Sequence, residues 1–220
     1  MLITSAEAVD FIRANTEIAA PSILPELKLH LATEITPIWQ ASEVSLAEAN
    51  VDPPFWAFAW AGGQALARHV LDRPESVRGR RVLDFGAGSG MLAIVAARVG
   101  AARVRAAEID PIACAAIRLN AALNGIETAI EILEDDVIDR DPGVDVVLVG
   151  DMCYERELAE RLVAWLRIAA GRGVTVLLGD PGRSYRPTTG LVEVARYKVP
   201  TSLELEDRTE REGIVWRLMP

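Results

Sequence analysis

The stretch 81–100, RVLDFGAGSGMLAIVAARVG, decides how the chain is read. Its first five residues are an apolar run of strand length, and glycines then stand at 86, 88 and 90. The apolar residues that follow carry a helix, which Gly100 stops. Strand, bare loop and helix form the opening unit of a doubly wound α/β sheet, in which ligands sit beyond the carboxyl ends of the strands. The glycine spacing narrows the ligand. A dinucleotide fingerprint has its third glycine three residues after the second, where this chain has Met91, so pyrophosphate binding is disfavoured. Backbone this bare still admits close approach. About 20 residues on, at the end of the next strand, Glu108 can accept two hydrogen bonds from a ribose diol. The expected ligand carries a ribose and no phosphates.

Outward from that unit the alternation continues. RVRAAE, 103–108, reads as a second strand. Asp110 then stands as an N-cap with Pro111 at the first helical position, and that helix runs to about Asn124 before Gly125. AIEIL (129–133), VDVVLVG (144–150) and VTVLLG (174–179) are further strands, with a helix over about 155–170. LVEVARYKV (191–199) and GIVWRL (213–218) follow with no long helix between them, which predicts a closing antiparallel pair. Upstream, Thr4 and Glu7 have capping-box spacing, Leu2 and Ile3 are placed to staple the turn, and a helix is expected to about Asn15. Pro21, Pro25, Pro37, Pro53 and Pro54 interrupt residues 18–58, which predicts an N-terminal cap or lid over residues 1–58. Its aromatic end, PPFWAFAWAGGQALARHVL, turns into a helix. At 220 residues the chain has room for one α/β domain with a full core.

Composition excludes several classes. Half of the residues are apolar and a quarter charged, with no uninterrupted apolar run of membrane length. The first residues show no export or organelle pattern, so a cytoplasmic protein is expected. Cys114, Cys153, His30 and His69 are the only cysteines and histidines, and no cluster has metal-ligand spacing, so no metal is expected. The formal net charge of −9 opposes binding to nucleic acid and suits a basic partner surface. No repeat or coiled-coil pattern asks for a second copy, and a monomer is expected.

The acceptor chemistry is read from GDMCYE, 150–155, at the end of the fourth strand. Asp151 and Tyr154 stand at the lip where this fold places its chemistry, and a carboxylate beside a phenol suits an amine nucleophile. A free lysine is neutral in only about one part in a thousand at neutral pH, and a nucleophile needs its lone pair. Apolar and aromatic walls disfavour the charged amine, while Asp151 would orient it and stabilise the positive charge of the product. Two plainer readings of this stretch are that Asp151 caps the following helix and that Tyr154 packs as core. Cys153 has no histidine or cation near it in sequence and reads as packing.

The glycine loop, with Asp84 before it, Glu108 after the second strand and Asp136 after the third, resembles the class I S-adenosylmethionine-dependent methyltransferases. That resemblance implies a mostly parallel seven-stranded sheet with an antiparallel last strand. It implies that Gly86, Gly88 and Gly90 pack against the methionine part of the donor, with Glu108 on the ribose hydroxyls and Asp136 facing the adenine amine. D-x-x-Y at 151–154 resembles the seven-stranded protein-lysine methyltransferases of family 16. Within them, PPFWAFAWAGGQAL, EIDPIA, GDMCY, GDPGR and the terminal VW are similar to the electron transfer flavoprotein β-subunit lysine methyltransferases. The likeness is strongest over residues 50–185. It implies S-adenosylmethionine as donor, the flavoprotein β subunit as protein substrate, Trp60 and Gln64 near the donor, and Asp180, Pro181, Gly182 and Arg183 along the acceptor side. DPGR is also a plain Pro-Gly turn.

Three other functions stay open at this point. A small-molecule N-methyltransferase would share everything through Tyr154. An amino-methyltransferase of nucleic acid would want two prolines where this chain has Met152 and Cys153. A donor-binding module without turnover would keep the glycine loop and lose the chemistry.

Overall fold

The computed structural model describes residues 4–33, 36 and 53–220, so Leu2, Ile3 and Pro37 lie outside the described residues. Helix α1 (Ser5–Asn15) starts at the predicted capping box. The Glu7 amide donates to Thr4 Oγ1 and the Thr4 amide to Glu7 Oε2, so two amides that the first turn leaves unpaired are satisfied reciprocally. Ala8 and Ile12, four apart on one face, pack in a cluster with Ile112 and Ala116.

Next comes a short antiparallel ribbon, β1 (Glu17–Ala19) with β2 (Leu29–Leu31), pairing Glu17 with Leu31. The prolines suggested irregular chain here. Pro21 and Pro25 fall in the connection, and three-residue strands are too short for period-two alternation to stand out. The Asn120 amide ties the ribbon to the main body: the His30 N–H donates to Asn120 Oδ1 at 2.7 Å, and Asn120 Nδ2 donates to the carbonyl of Ser89 in the glycine loop at 2.9 Å.

After a single 3-10 turn at Phe55–Ala57, helix α2 (Ala61–Asp72) begins. The predicted alternation then unfolds as β3 (Arg81–Phe85), α3 (Met91–Arg98), β4 (Arg103–Ala107), α4 (Pro111–Leu123), β5 (Ile130–Leu133), β6 (Val146–Gly150), α5 (Arg156–Gly171) and β7 (Thr175–Asp180). The closing pair is β8 (Leu191–Pro200) and β9 (Glu210–Leu218), joined through a four-residue helix α6 (Leu203–Glu206). One seven-stranded sheet results, in the order β5-β4-β3-β6-β7-β9-β8. β3 to β7 pair in parallel, and β9 runs antiparallel to both β7 and β8.

Strand period puts alternate residues on opposite faces. Val82, Val146 and Leu148 join Leu66 of α2 and Ile94 of α3 in one core cluster, while Leu83, Val147 and Val149 join Leu162 and Leu166 of α5 in the other. The chain turns from β3 outward to β4 on one side and later to β6 on the other. That reversal leaves a crevice at the carboxyl ends of β3 and β6, the usual ligand position of an open α/β sheet. Among the described residues no helix is long and apolar enough to cross a membrane.

Candidate active site

The crevice is a cleft of ≈ 600 Å³ lined by the glycine loop, Asp84, Glu108, Asp136, Asp151, Tyr154 and aromatic residues of 55–60. That volume suits a nucleoside with an amino-acid tail. Gly86 and Gly88 line it, with φ of 63° and 53° in the left-handed region. A Cβ on Gly86 would strike the Met152 side chain. Gly90 is used differently: it lies off the cleft wall, and a Cβ there would come within 3.0 Å of Ile117 on α4. Of the three glycines expected at the ligand, the third serves helix packing.

Glu108 locks the loop in place. Its Oε2 accepts from the Gly88 amide at 2.8 Å, and its Oε1 accepts from the amides of Ile109 at 2.8 Å and Asp110 at 3.0 Å. Asp84 is 1% exposed; its Oδ2 accepts from the Ala93 amide at 2.9 Å, and its Oδ1 has no partner among the described residues. Burial, with the Glu108 charge nearby, pushes its carboxyl up to about 8. Asp136 lines the cleft with Asp135, accepting from the Ile138 amide at 2.9 Å and from Arg161 at 3.0 Å, and that backbone bond first of all lowers its pKa.

Trp60 reaches the cleft wall, with its indole N–H donating to the Phe55 carbonyl at 2.9 Å. Gln64 does not line it. Its amide is spent on the N-terminal segment: Oε1 accepts from Ser22 Oγ at 3.0 Å and from the Ile23 amide at 3.2 Å, while Nε2 donates to the Ala59 carbonyl at 2.7 Å. The expectation of a donor contact at Gln64 is therefore corrected to a tether for residues 22–23.

On the acceptor side Asp151 is 7% exposed and has a φ of 58°, a strained conformation for a residue with a side chain, costing about 1 kcal/mol. It does cap a helix, but not the following one. The Gly63 amide in the first turn of α2 donates to Asp151 Oδ2 at 2.6 Å, whereas α5 is capped by Glu155. Oδ1 accepts from Arg183 Nε at 3.1 Å and Nη2 at 2.9 Å. Burial raises the Asp151 carboxyl to about 6, against the lowering influence of Arg183 and the Gly63 amide. The backbone makes this possible because α2 crosses the sheet at glycines: a Cβ on Gly62 would collide with the Gly179 carbonyl.

Arg183 is shared. It also donates to Glu206 on α6, at 2.8 Å to Oε1 and 3.2 Å to Oε2, and lies 5.3 Å from the Trp60 ring centre. Glu206 is 2% exposed and pairs with Arg211 as well. Sequence reasoning missed Glu206, since nothing local marks a glutamate on a four-residue helix as the partner of an arginine 23 residues earlier. Asp180 sits beneath the turn rather than on the cleft wall, its Oδ1 accepting from the amides of Gly182 at 2.6 Å and Arg183 at 2.8 Å. Its expected contact with substrate is corrected to support of the Arg183 backbone. Tyr154 is 47% exposed at the mouth, its ring centre 5.6 Å from that of Phe55, so it is not core. Burial pushes the Cys153 thiol up to about 12, which leaves it unreactive. Among the described residues no group of three His, Cys, Asp or Glu is placed to hold a metal ion.

Residues 62–152 match the family model described as Ribosomal protein L11 methyltransferase (PrmA). Over a longer span the chain is 38% identical across 216 residues to the electron transfer flavoprotein beta subunit lysine methyltransferase of Xenopus laevis, covering 96% of this chain and 86% of that protein. The Homo sapiens protein of the same name is 37% identical over 216 residues, covering 96% of this chain and 81% of that one. A crystal structure of ribosomal protein L11 methylase from Lactobacillus delbrueckii subsp. bulgaricus superposes with a TM-score of 0.51 at 22% identity, covering 74% of this chain and 81% of that one. This last likeness concerns the fold.

Proposed function

The chain belongs to the electron transfer flavoprotein beta subunit lysine methyltransferase family, and from that premise we propose that it transfers methyl groups to lysine side chains of the flavoprotein β subunit. S-adenosylmethionine is the methyl donor. The residues present suit that molecule: the cleft has the volume, Asp84 and Trp56 are among its lining residues, and Asp84 Oδ1 and Trp56 Nε1 are buried with no partner among the described residues. In this reading Glu108 turns the one acceptor site left free by the loop amides, on Oε2, toward the ribose, Asp136 faces the adenine, and Gly86 and Gly88 let the methionine part lie against backbone.

When bound, the donor supplies an electrophilic methyl on its sulfonium. The protein's part begins with the acceptor. The one observation that carries the reading is Asp151, a buried carboxylate on the cleft wall, held by Gly63 and Arg183 at fixed geometry. Phe55, Trp60 and Tyr154 supply aromatic walls that disfavour a charged amine, so the lysine gives its proton to water as it settles. Asp151 accepts from the amine N–H, aims the lone pair, and stabilises the cation that the methylated product remains. Arg183 tempers this carboxylate by sharing it. Alignment does most of the work, since holding two reactants in line can lower a barrier by several kcal/mol.

The likeness to the L11 enzymes covers the donor-binding part, whereas the flavoprotein relatives match across nearly the whole chain, acceptor side included. A labelled donor offered with purified flavoprotein β subunit or with ribosomal protein L11 tests the choice. Label on lysines of the first and none on the second is expected; the reverse overturns the substrate and leaves donor use standing.

A further inference from the structure

Trp56 lies in the 3-10 turn Phe55–Ala57 and is 3% exposed. It sits against the glycine loop: its Cα is 3.5 Å from where a Cβ on Gly88 would stand, an ordinary contact distance. Its ring belongs to the cluster that includes Ile12 and Ala113, and the residue lines the cleft. Unlike Trp60, whose N–H reaches the Phe55 carbonyl, Trp56 Nε1 is buried with no acceptor among the described residues. A buried N–H without an acceptor costs free energy, and such groups persist where a ligand completes them.

An indole N–H only donates, so its missing partner is an acceptor. The donor molecule brings one acceptor with a full negative charge, the carboxylate of its methionine part. The described cleft lining has two cations, and both are engaged: Arg161 with Asp136 and Arg183 with Asp151 and Glu206. A carboxylate near Gly88 therefore has no free cation to meet. We propose that the Trp56 indole N–H holds the carboxylate of S-adenosylmethionine, while the unpartnered Asp84 Oδ1 takes the ammonium of the same amino-acid group. One donor-only and one acceptor group would then read the two ends of that amino acid.

Calorimetry tests this without turnover or acceptor protein. Trp56→Phe keeps an aromatic ring, smaller than the indole, and removes the N–H. It should weaken S-adenosylhomocysteine about ten- to a hundredfold, as loss of a charge-assisted hydrogen bond does, and leave 5′-methylthioadenosine, which lacks the amino-acid part, unchanged. Equal loss for both ligands, or no loss for either, overturns the assignment. Wild-type protein gives an independent check should the variant fold poorly: decarboxylated S-adenosylmethionine should bind at least tenfold more weakly than the intact donor, and equal affinity overturns the proposal.

Discussion

Asp151 has to be an anion in a place that water scarcely reaches, and its neighbours settle how far that succeeds. Burial raises the carboxyl to about 6, and Arg183 is the first of the groups that hold it down. The raised value means the charge is lost as pH falls through about 6, so kcat/KM should show an acid limb there, added to the steady rise with pH that deprotonation of the free substrate lysine imposes. Arg183→Leu removes the cation, disfavours the carboxylate further, and should move that limb to higher pH while donor affinity stays within a few-fold. A limb that stays in place in this variant means that another group sets it. At this scale the sequence was partly readable. D-x-x-Y after an apolar run marked Asp151 and Tyr154, yet the ordinary signals for a carboxylate gave no warning that Arg183 would pair with it or that Glu206 would share that arginine. That contact depends on α6 folding back from the β8–β9 connection, and no spacing rule links residues across such an excursion.

Among the elements, the placing of α2 matters most. Its first turn points a free amide at Asp151, which requires helix and sheet backbones to approach at Gly62, Gly63, Gly150 and Gly179. Gly62→Ala should cost about 3 kcal/mol in urea unfolding, the upper range for overpacking, because the new methyl meets a carbonyl rather than a flexible side chain. A loss under about 0.5 kcal/mol would mean that α2 can retreat without harm. The strands and helices from Arg81 onward were legible because caps, stops and apolar periods agreed at each boundary. The ribbon β1–β2 was not, since its three-residue strands are held by the Asn120 amide and by packing on α2 and α4 rather than by local pattern. The adjacent glycines of AGGQ could be seen, but their reason, a crossing of β7, lies outside the segment.

For the molecule as a whole, the net charge of −9 and the carboxylates at the cleft mouth favour encounter with a basic protein surface. Raising ionic strength should therefore raise KM for the flavoprotein subunit several-fold while barely changing donor affinity, since screening acts on exposed charges at long range. A KM insensitive to salt would remove charge from the account of recognition. The parallel strands and a ligand crevice beyond their carboxyl ends followed from strand–helix alternation, whereas the strand order, and with it the side-to-side reversal at β3, came only with the structure. Which atoms face the cleft did not follow, because that is decided by distant partners, as Gln64 and Gly90 illustrate.

The measurement that bears most directly on the central claim is the intact mass of the purified flavoprotein β subunit after incubation with donor and either wild-type protein or Asp151→Asn. Mass gains in steps of one methyl with the wild type are predicted. The variant should fall short by at least about a hundredfold in rate, while calorimetry finds its donor affinity nearly unchanged. Equal methylation by both proteins would contradict the role given to Asp151, and no gain with donor-saturated wild-type protein would contradict the substrate.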